Sequence, residues 1–568
     1  MFHPHLQGGG KETRIVQGRR GDIDGRRPLG AFVGDLAAAG AAELADDALR
    51  GAVGARVTGE YFDLPSVEGQ PGHGRGGTRP AARGAMADAG IDGLSGNAKP
   101  NCRTEAAAFI DLHGFQPPFG RRTSGCRSGS YQDGAAANTG WSAYIAQRMA
   151  ETLSVQCCIA GGGPAGMMLG YLLGRAGVST VVLEKHADFL RDFRGDTVHP
   201  STLMIMHELG LIDDFLKLPH SEIRALSAEI GDATVKVADF SRVSAPCRYI
   251  ALMPQWDFLN FLAERSSRFP ALRIMMSAEV TGLIQDAGRV AGVRGRTVDG
   301  PLEVRADLVV GCDGRTSTVR TASGLSVQDL GSPIDVLWFR LSKKGGDPEQ
   351  VLGRLRADTM IVTIDRTDYW QCAFVISKGG IDRIHAAGLE AFKAAVADGA
   401  RFLSDRVNEL KSFDDIKLLS VSVDRLTTWS RPGLLCIGDS AHAMSPVGGV
   451  GINLAIQDAV AAANLLAAKL KAGRLLDADL DAVRRRRLFP VKVIQGLQVA
   501  IHNRVLKPAV SGQVRTLKVP WPLKVLDAHA WMRRWPAQML GMGVRPEHVR
   551  SPDCPQSVPS LRRPGTAL

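Results

Sequence analysis

Apolar and polar positions fall into two regimes along this 568-residue chain, divided near residue 149. Downstream of that point the pattern is regular. Val155 to Ala160 is a short, almost unbroken apolar run, which predicts a strand buried on both faces. A glycine cluster follows, and Met167 to Ala176 is then apolar on most sides, which predicts a buried helix. Val178 to Leu183 predicts the next strand, so the region opens strand, helix, strand. Thr202 to Leu218 reads as helical, Leu226 to Ile250 alternates as strands do, Phe258 to Ser267 is helical, and Leu272 to Val293 returns to strands. Asp335 to Leu341, Met360 to Asp365 and Tyr369 to Ser377 read as longer strands bounded by Gly, Pro and Asp. Leu418 to Leu426 leads into another apolar strand, Leu434 to Ile437, and a helix is predicted from Gly451 through Ala468. Pro490 to Val505 and the Trp- and Arg-containing segment near 521–540 look helical.

Residues 1–148 have no such order. They hold 27 of the 64 glycines, their only lysines are Lys11 and Lys99, and apolar positions keep no sustained period apart from a short helical pattern at Leu36 to Leu49. A segment of this texture buries too little apolar surface to offset its chain entropy. It reads as a disordered extension or as a start placed too far upstream, and the second reading is preferred, with Met149 as the expected beginning.

The chemistry concentrates at three glycine turns. Gly161, Gly163 and Gly166 stand at the positions of a G-x-G-x-x-G fingerprint, with Pro164 and Ala165 between them. The first glycine permits the tight turn, the second leaves room for a pyrophosphate against the backbone, and the third lets the helix approach the strand. Glu184, at the end of the second strand, is placed to accept hydrogen bonds from an adenosine ribose and disfavours a 2′-phosphate, so the site suits FAD or NAD better than NADP. The second turn is Cys312-Asp313-Gly314 after the apolar run Leu308 to Gly311. The third is Gly438-Asp439, continuing through His442 and Pro446 to Gly449-Val450-Gly451-Ile452-Asn453.

In this order and spacing the three motifs resemble the flavin-dependent aromatic hydroxylases of the p-hydroxybenzoate hydroxylase type, over about residues 153–480. The resemblance implies an α/β fold: a Rossmann-type FAD-binding domain in pieces near 149–224, 252–332 and 424–480, interleaved with a mostly antiparallel β-sheet substrate domain (225–251 and 333–423), and C-terminal helices over 481–568. It implies non-covalent FAD, with Asp313-Gly314 near the pyrophosphate and the nicotinamide path, Asp439 on the ribityl chain, and amides of Gly449 to Asn453 facing the pyrimidine end of the isoalloxazine. Arg194 and Gln255 match positions where the family often has an arginine and a glutamine near the cofactor. The implied activity is hydroxylation of an aromatic or other apolar small molecule with NADH or NADPH and O2, through a C4a-hydroperoxyflavin. A flavin-dependent reductase or dehydrogenase acting without oxygen insertion is the alternative. No substrate-activating base stands out, Tyr369 and Arg340 being the only guesses in 330–425.

Composition adds boundaries to this picture. The net charge of +11 is mostly arginine and reads as too diffuse for nucleic acid, and Arg484-Arg485-Arg486-Arg487 reads as a solvated helix face rather than a nucleic-acid or anionic-membrane contact. Nine cysteines without a C-x-x-C pair suggest neither a disulfide framework nor a zinc site. His199 and His442 lack further ligands at metal spacing and read as packing or hydrogen-bonding residues. No run approaches 18 uninterrupted apolar residues, so no transmembrane helix is expected. A cytoplasmic monomer or homodimer is the expectation.

Overall fold

The computed structural model describes residues 151–190, 197–348, 352–356, 358–511 and 518–554; the expectations for residues 1–148 and for Arg194 lie outside them. Two large sheets organise these residues. The first has eight strands. Its parallel core runs Leu434–Cys436, Gly300–Gly311, Glu151–Ala160, Thr180–Leu183, Leu272–Met275, and the register places Ala160 beside both Gly311 and Leu183, and Gly311 beside Cys436. The three motif turns therefore leave the same edge, at the carboxyl ends of the strands, where ligands bind in open α/β sheets. The side chains explain the burial. Cys157 to Ala160, Leu308 to Val310 and Leu434 to Ile437 are apolar and inaccessible, as a strand covered on both faces requires.

Helix α1 (Pro164–Arg175) begins with proline in its first turn and buries ten of its twelve residues. Helix α2 (Pro200–Glu208) ends before Gly210, whose positive φ of 67° stops a helix that hydropathy alone carries on to Leu218. Helix α3 (Gly451–Lys471) packs beside α1. The stretch Val447–Lys471 is long and apolar enough to cross a membrane, and its most apolar part is mostly buried within the protein, where it serves as a core helix. Helix α4 (Asp477–Ile501) starts well before the expected Pro490, which lies buried inside it, and runs into a π-turn at His502–Leu506.

The second sheet has seven mostly antiparallel strands, with Ala233–Asp239 at one edge. One face meets helices beyond Ile381; the other carries Ile334, Val336, Trp338, Ala373 and Val375 into a second apolar core. That core also takes Met204 from α2, Val447 from the third motif and Leu506 from the π-turn, so the sheet faces the motif-bearing region. Two short helices, α5 (Trp521–Ala528) and α6 (Arg534–Gly541), lie over the edge strand.

Candidate cofactor and active site

The glycines of the first turn show what the backbone was built to admit. Gly161 has φ +105°, and a Cβ there would stand 2.5 Å from the Cys312 carbonyl oxygen and 2.8 Å from the Asp313 Cα, so the first and second motifs touch. At Gly166 a Cβ would lie 1.9 Å from the Gly161 oxygen. Gly163 is different: a Cβ there meets nothing within 4 Å. Fold packing forbids a side chain at 161 and 166, whereas at 163 the space is open. Gly163 is also the N-cap of α1 and offers no side-chain acceptor, so the first-turn amides face that space uncapped.

Glu184 is buried and holds this turn in place, its Oε2 accepting from the Gly162 amide at 2.9 Å and its Oε1 from the His186 amide at 3.1 Å. In the second motif, Asp313 accepts from the Ser317 hydroxyl and, at 3.1 Å, from the Val319 amide, so its carboxylate shapes its own turn. Burial raises its pKa and those hydrogen bonds oppose the shift. Gly314, with φ +85°, borders open space.

The third motif abuts the first. A Cβ on Gly438 would come 3.2 Å from the Ala165 Cβ. Asp439 accepts from Arg315 Nε at 3.1 Å, and Arg315 Nη2 donates to the Met444 carbonyl at 2.9 Å, tying the second motif to the third. Pro446 opens a tight turn through Gly448 and Gly449, both at positive φ. Helix α3 then begins at Gly451 with Val450 as its N-cap and no side-chain acceptor for the amides of its first turn, which includes Ile452 and Asn453. A 21-residue helix with an uncapped N-terminus presents about half a positive charge there. The Asn453 side chain works as a clamp: its Nδ2 donates to the Thr197 and Gly449 carbonyls, and its Oδ1 accepts from His199 N and Thr202 Oγ1.

Several residues that the sequence left unremarked grip this loop. Asp458 is fully buried; its Oδ2 accepts from His442 Nε2 at 2.5 Å and Gly438 N at 3.1 Å, and its Oδ1 from Arg487 Nε at 2.9 Å. Burial pushes the Asp458 pKa up, but His442 and Arg487 outweigh it and hold the group ionised below the ordinary range. Arg487 and Arg486 both reach Glu547, and Arg484 and Arg485 reach Asp481. This corrects the expectation of a solvated arginine face at Arg487, which is buried and neutralised from two sides, whereas Arg485 is exposed as expected. Further along α4, Gln498 exchanges hydrogen bonds with Ser445 N, Ser445 O and Val447 O, and Gln495 Nε2 donates to Asp424 O and Ala443 O. His502 Nε2 lies 2.8 Å from Ser445 Oγ.

Four buried polar atoms around the loop have no partner among the described residues: Arg315 Nη1, His199 Nε2, His442 Nδ1 and His502 Nδ1. Burial pushes the His199 pKa down to about 4 and lowers that of His502, so both imidazoles are neutral at pH 7. His199 and His442 act through hydrogen bonds, to Leu540 O and Asp458, in keeping with the reading of their sequence positions. Gln255 opens the helix Gln255–Ser266 and is half-buried. Arg340 stacks over the Tyr369 ring at 5.0 Å, an ordinary sheet contact for both guessed residues.

Three glycine turns converging on the carboxyl edge of a parallel sheet, with open backbone and an uncapped helix N-terminus, define a protein that binds a dinucleotide cofactor. The chain belongs to the FAD binding domain family, whose model matches residues 154–495. It is an FAD-dependent oxidoreductase of the aromatic-hydroxylase type. It is 33% identical over 370 residues to a 6-methylpretetramide 4-monooxygenase of Streptomyces rimosus, covering 64% of this chain and 88% of that one. A 3-(3-hydroxy-phenyl)propionate/3-hydroxycinnamic acid hydroxylase of Escherichia coli is 28% identical, with 62% of this chain and 63% of the relative covered. Among solved structures, P. aeruginosa PqsL in complex with 2-aminobenzoylacetate shares the fold at TM-score 0.55 and 21% identity, over 63% of this chain and 98% of that one.

Proposed function

We propose that this protein is a monooxygenase that uses FAD, NADH or NADPH and O2 to hydroxylate an aromatic small molecule, with a polycyclic phenol as the favoured substrate class. The observation that carries the reading is the convergence of the three turns around backbone left open at Gly163 and Gly314. The relatives point to the substrate class, since two of them, from Streptomyces rimosus, are named as monooxygenases of 6-methylpretetramide and of 12-dehydrotetracycline and anhydrotetracycline.

The residues present suit FAD. The amides at the start of α1, Ala165 and Gly166 among them, beside Gly161 and the open backbone of Gly163 and after the N–H-less Pro164, would hold the diphosphate, Glu184 the adenosine ribose, Asp439 the ribityl chain, and the α3 N-terminus the pyrimidine end of the ring. The chemistry FAD supplies when bound is acceptance of hydride from the nicotinamide and activation of O2. The chain's own contribution is positional. The amides at Gly451 to Asn453 stabilise negative charge by the helix dipole. The apolar face around Trp338, Val336 and Val447 excludes water from the reacting centre. His502, whose buried Nδ1 has no partner among the described residues, would offer a hydrogen bond to an oxygen on the substrate ring, while Nε2 stays with Ser445.

The test is oxidation of NADH and NADPH by the FAD-loaded protein in the presence of hydroxylated polycyclic aromatics, anhydrotetracycline included. Stimulated oxidation with matching O2 uptake supports the reading. Reduction of the added compound in the absence of O2 instead points to the reductase alternative.

A further inference from the structure

The positive charge that reads as diffuse is local. Residues 482–546 hold thirteen lysines and arginines against one acid, Asp527. The four arginines at 484–487 direct their charge to Asp481, Asp458 and Glu547. Lys518, Lys524, Arg533 and Arg534 lie in or next to α5 and α6, which form a single cap over the edge strand Ala233–Asp239. Asp527 Oδ1 accepts from Lys236 N at 2.9 Å, and Arg533 O accepts from Asp239 N at 3.3 Å. The Arg533 guanidinium donates to Leu526 O and Asp527 O, stapling the two helices together. Beneath the cap, Ala537, Leu540 and Met542 join the second apolar core.

Its outer side carries three tryptophans that the fold leaves in water: Trp521, Trp531 and Trp535 are 46%, 59% and 68% exposed. Lys518, Lys524 and Arg534 are exposed beside them, and none has a carboxylate partner among the described residues. Tryptophan has an apolar body with one polar N–H and settles at the boundary between headgroups and acyl chains. Lysine and arginine at that depth meet anionic headgroups. A helix cap with an apolar underside packed on protein and a tryptophan-and-cation outer side suits a membrane surface rather than a span. A second copy of the chain would bring two cationic faces together.

We propose that this cap docks the enzyme on an anionic lipid surface. The experiment uses FAD-loaded full-length chain and sucrose-loaded vesicles of phosphatidylcholine alone or mixed equally with phosphatidylglycerol. The protein should sediment with the anionic vesicles at least about tenfold more strongly than with the neutral ones, be released by high salt, and show a blue shift of tryptophan emission on binding. W521A/W531A/W535A and K518E/K524E/R534E should each weaken binding about tenfold while keeping FAD content and far-ultraviolet circular dichroism. Equal partition onto both vesicles, or variants that bind as wild type does, would overturn the proposal. So would a solution dimer that W521A/W531A/W535A converts to monomer, or binding of a single-stranded oligonucleotide without vesicle binding.

Discussion

Arg315 Nε donates to Asp439 Oδ2 at 3.1 Å across 124 residues of chain. This bond joins the turn after Gly314 to the turn after Gly438, and Arg315 Nη1 is buried beside it with no partner among the described residues. The second and third motifs are thus fixed relative to each other before a ligand arrives, and both residues stand ready for one. Asp439→Ala should lower FAD affinity about tenfold to a hundredfold, the loss expected for a hydrogen bond to a charged acceptor. Isothermal titration of apoprotein with FAD reads this directly, and unchanged affinity would remove Asp439 from the site.

The two glycines of the first turn separate cofactor space from packing. Gly163→Val places its Cβ where nothing lies within 4 Å, and the backbone there is extended, so the apoprotein should fold with a near-normal melting temperature and fail to retain FAD. Gly166→Ala forces a Cβ to 1.9 Å from the Gly161 oxygen, so it should damage folding itself. Thermal denaturation and flavin content, measured on both variants, should split in this way. A G163V protein that keeps its flavin would show that the cofactor lies elsewhere.

How much of this was readable in advance depended on range. The glycine turns were visible because a missing side chain is itself a sequence signal, and the strands around Ile159 and Val309 because both faces are apolar. The polar face of α4 was not visible. Arg487, Gln495 and Gln498 look like a solvated stripe, and only the fold shows that their partners are Asp458, Ala443 and Ser445, 29, 52 and 53 residues away. The strand Leu352–Arg356 was missed for a related reason: it pairs in parallel with Ala225–Ile230, far upstream, and places Arg354 in a buried position against Thr363.

The Asp458 network makes a stability prediction. Asp458→Asn leaves Arg487 with a weakened partner in a buried setting, which typically costs about 3–5 kcal/mol. Chemical denaturation should show a loss of that order. A cost below 1 kcal/mol, the range of exposed pairs, would mean that the network is not holding the loop.

His199 makes a pH prediction. Its folded pKa of about 4 lies below the unfolded value of 6.5, so the unfolded state binds more protons between them and stability falls as pH drops through that window. Between pH 7 and pH 4.5 the loss from this residue should be roughly 2–3 kcal/mol. His199→Asn, which can still donate to Leu540 O, should flatten the pH dependence of the melting temperature by that amount. A slope identical to wild type would place the acid sensitivity elsewhere.

The central claim is oxygen transfer to an aromatic ring at this flavin site. The most direct measurement is a single turnover of FAD-loaded protein, reduced with the nicotinamide that serves it and mixed with a polycyclic phenol under 18O2. One 18O atom in the hydroxylated product per FAD, with the other recovered in water, is the predicted result. Product formed with no label, or consumption of O2 yielding only hydrogen peroxide with every ring substrate tried, would contradict it.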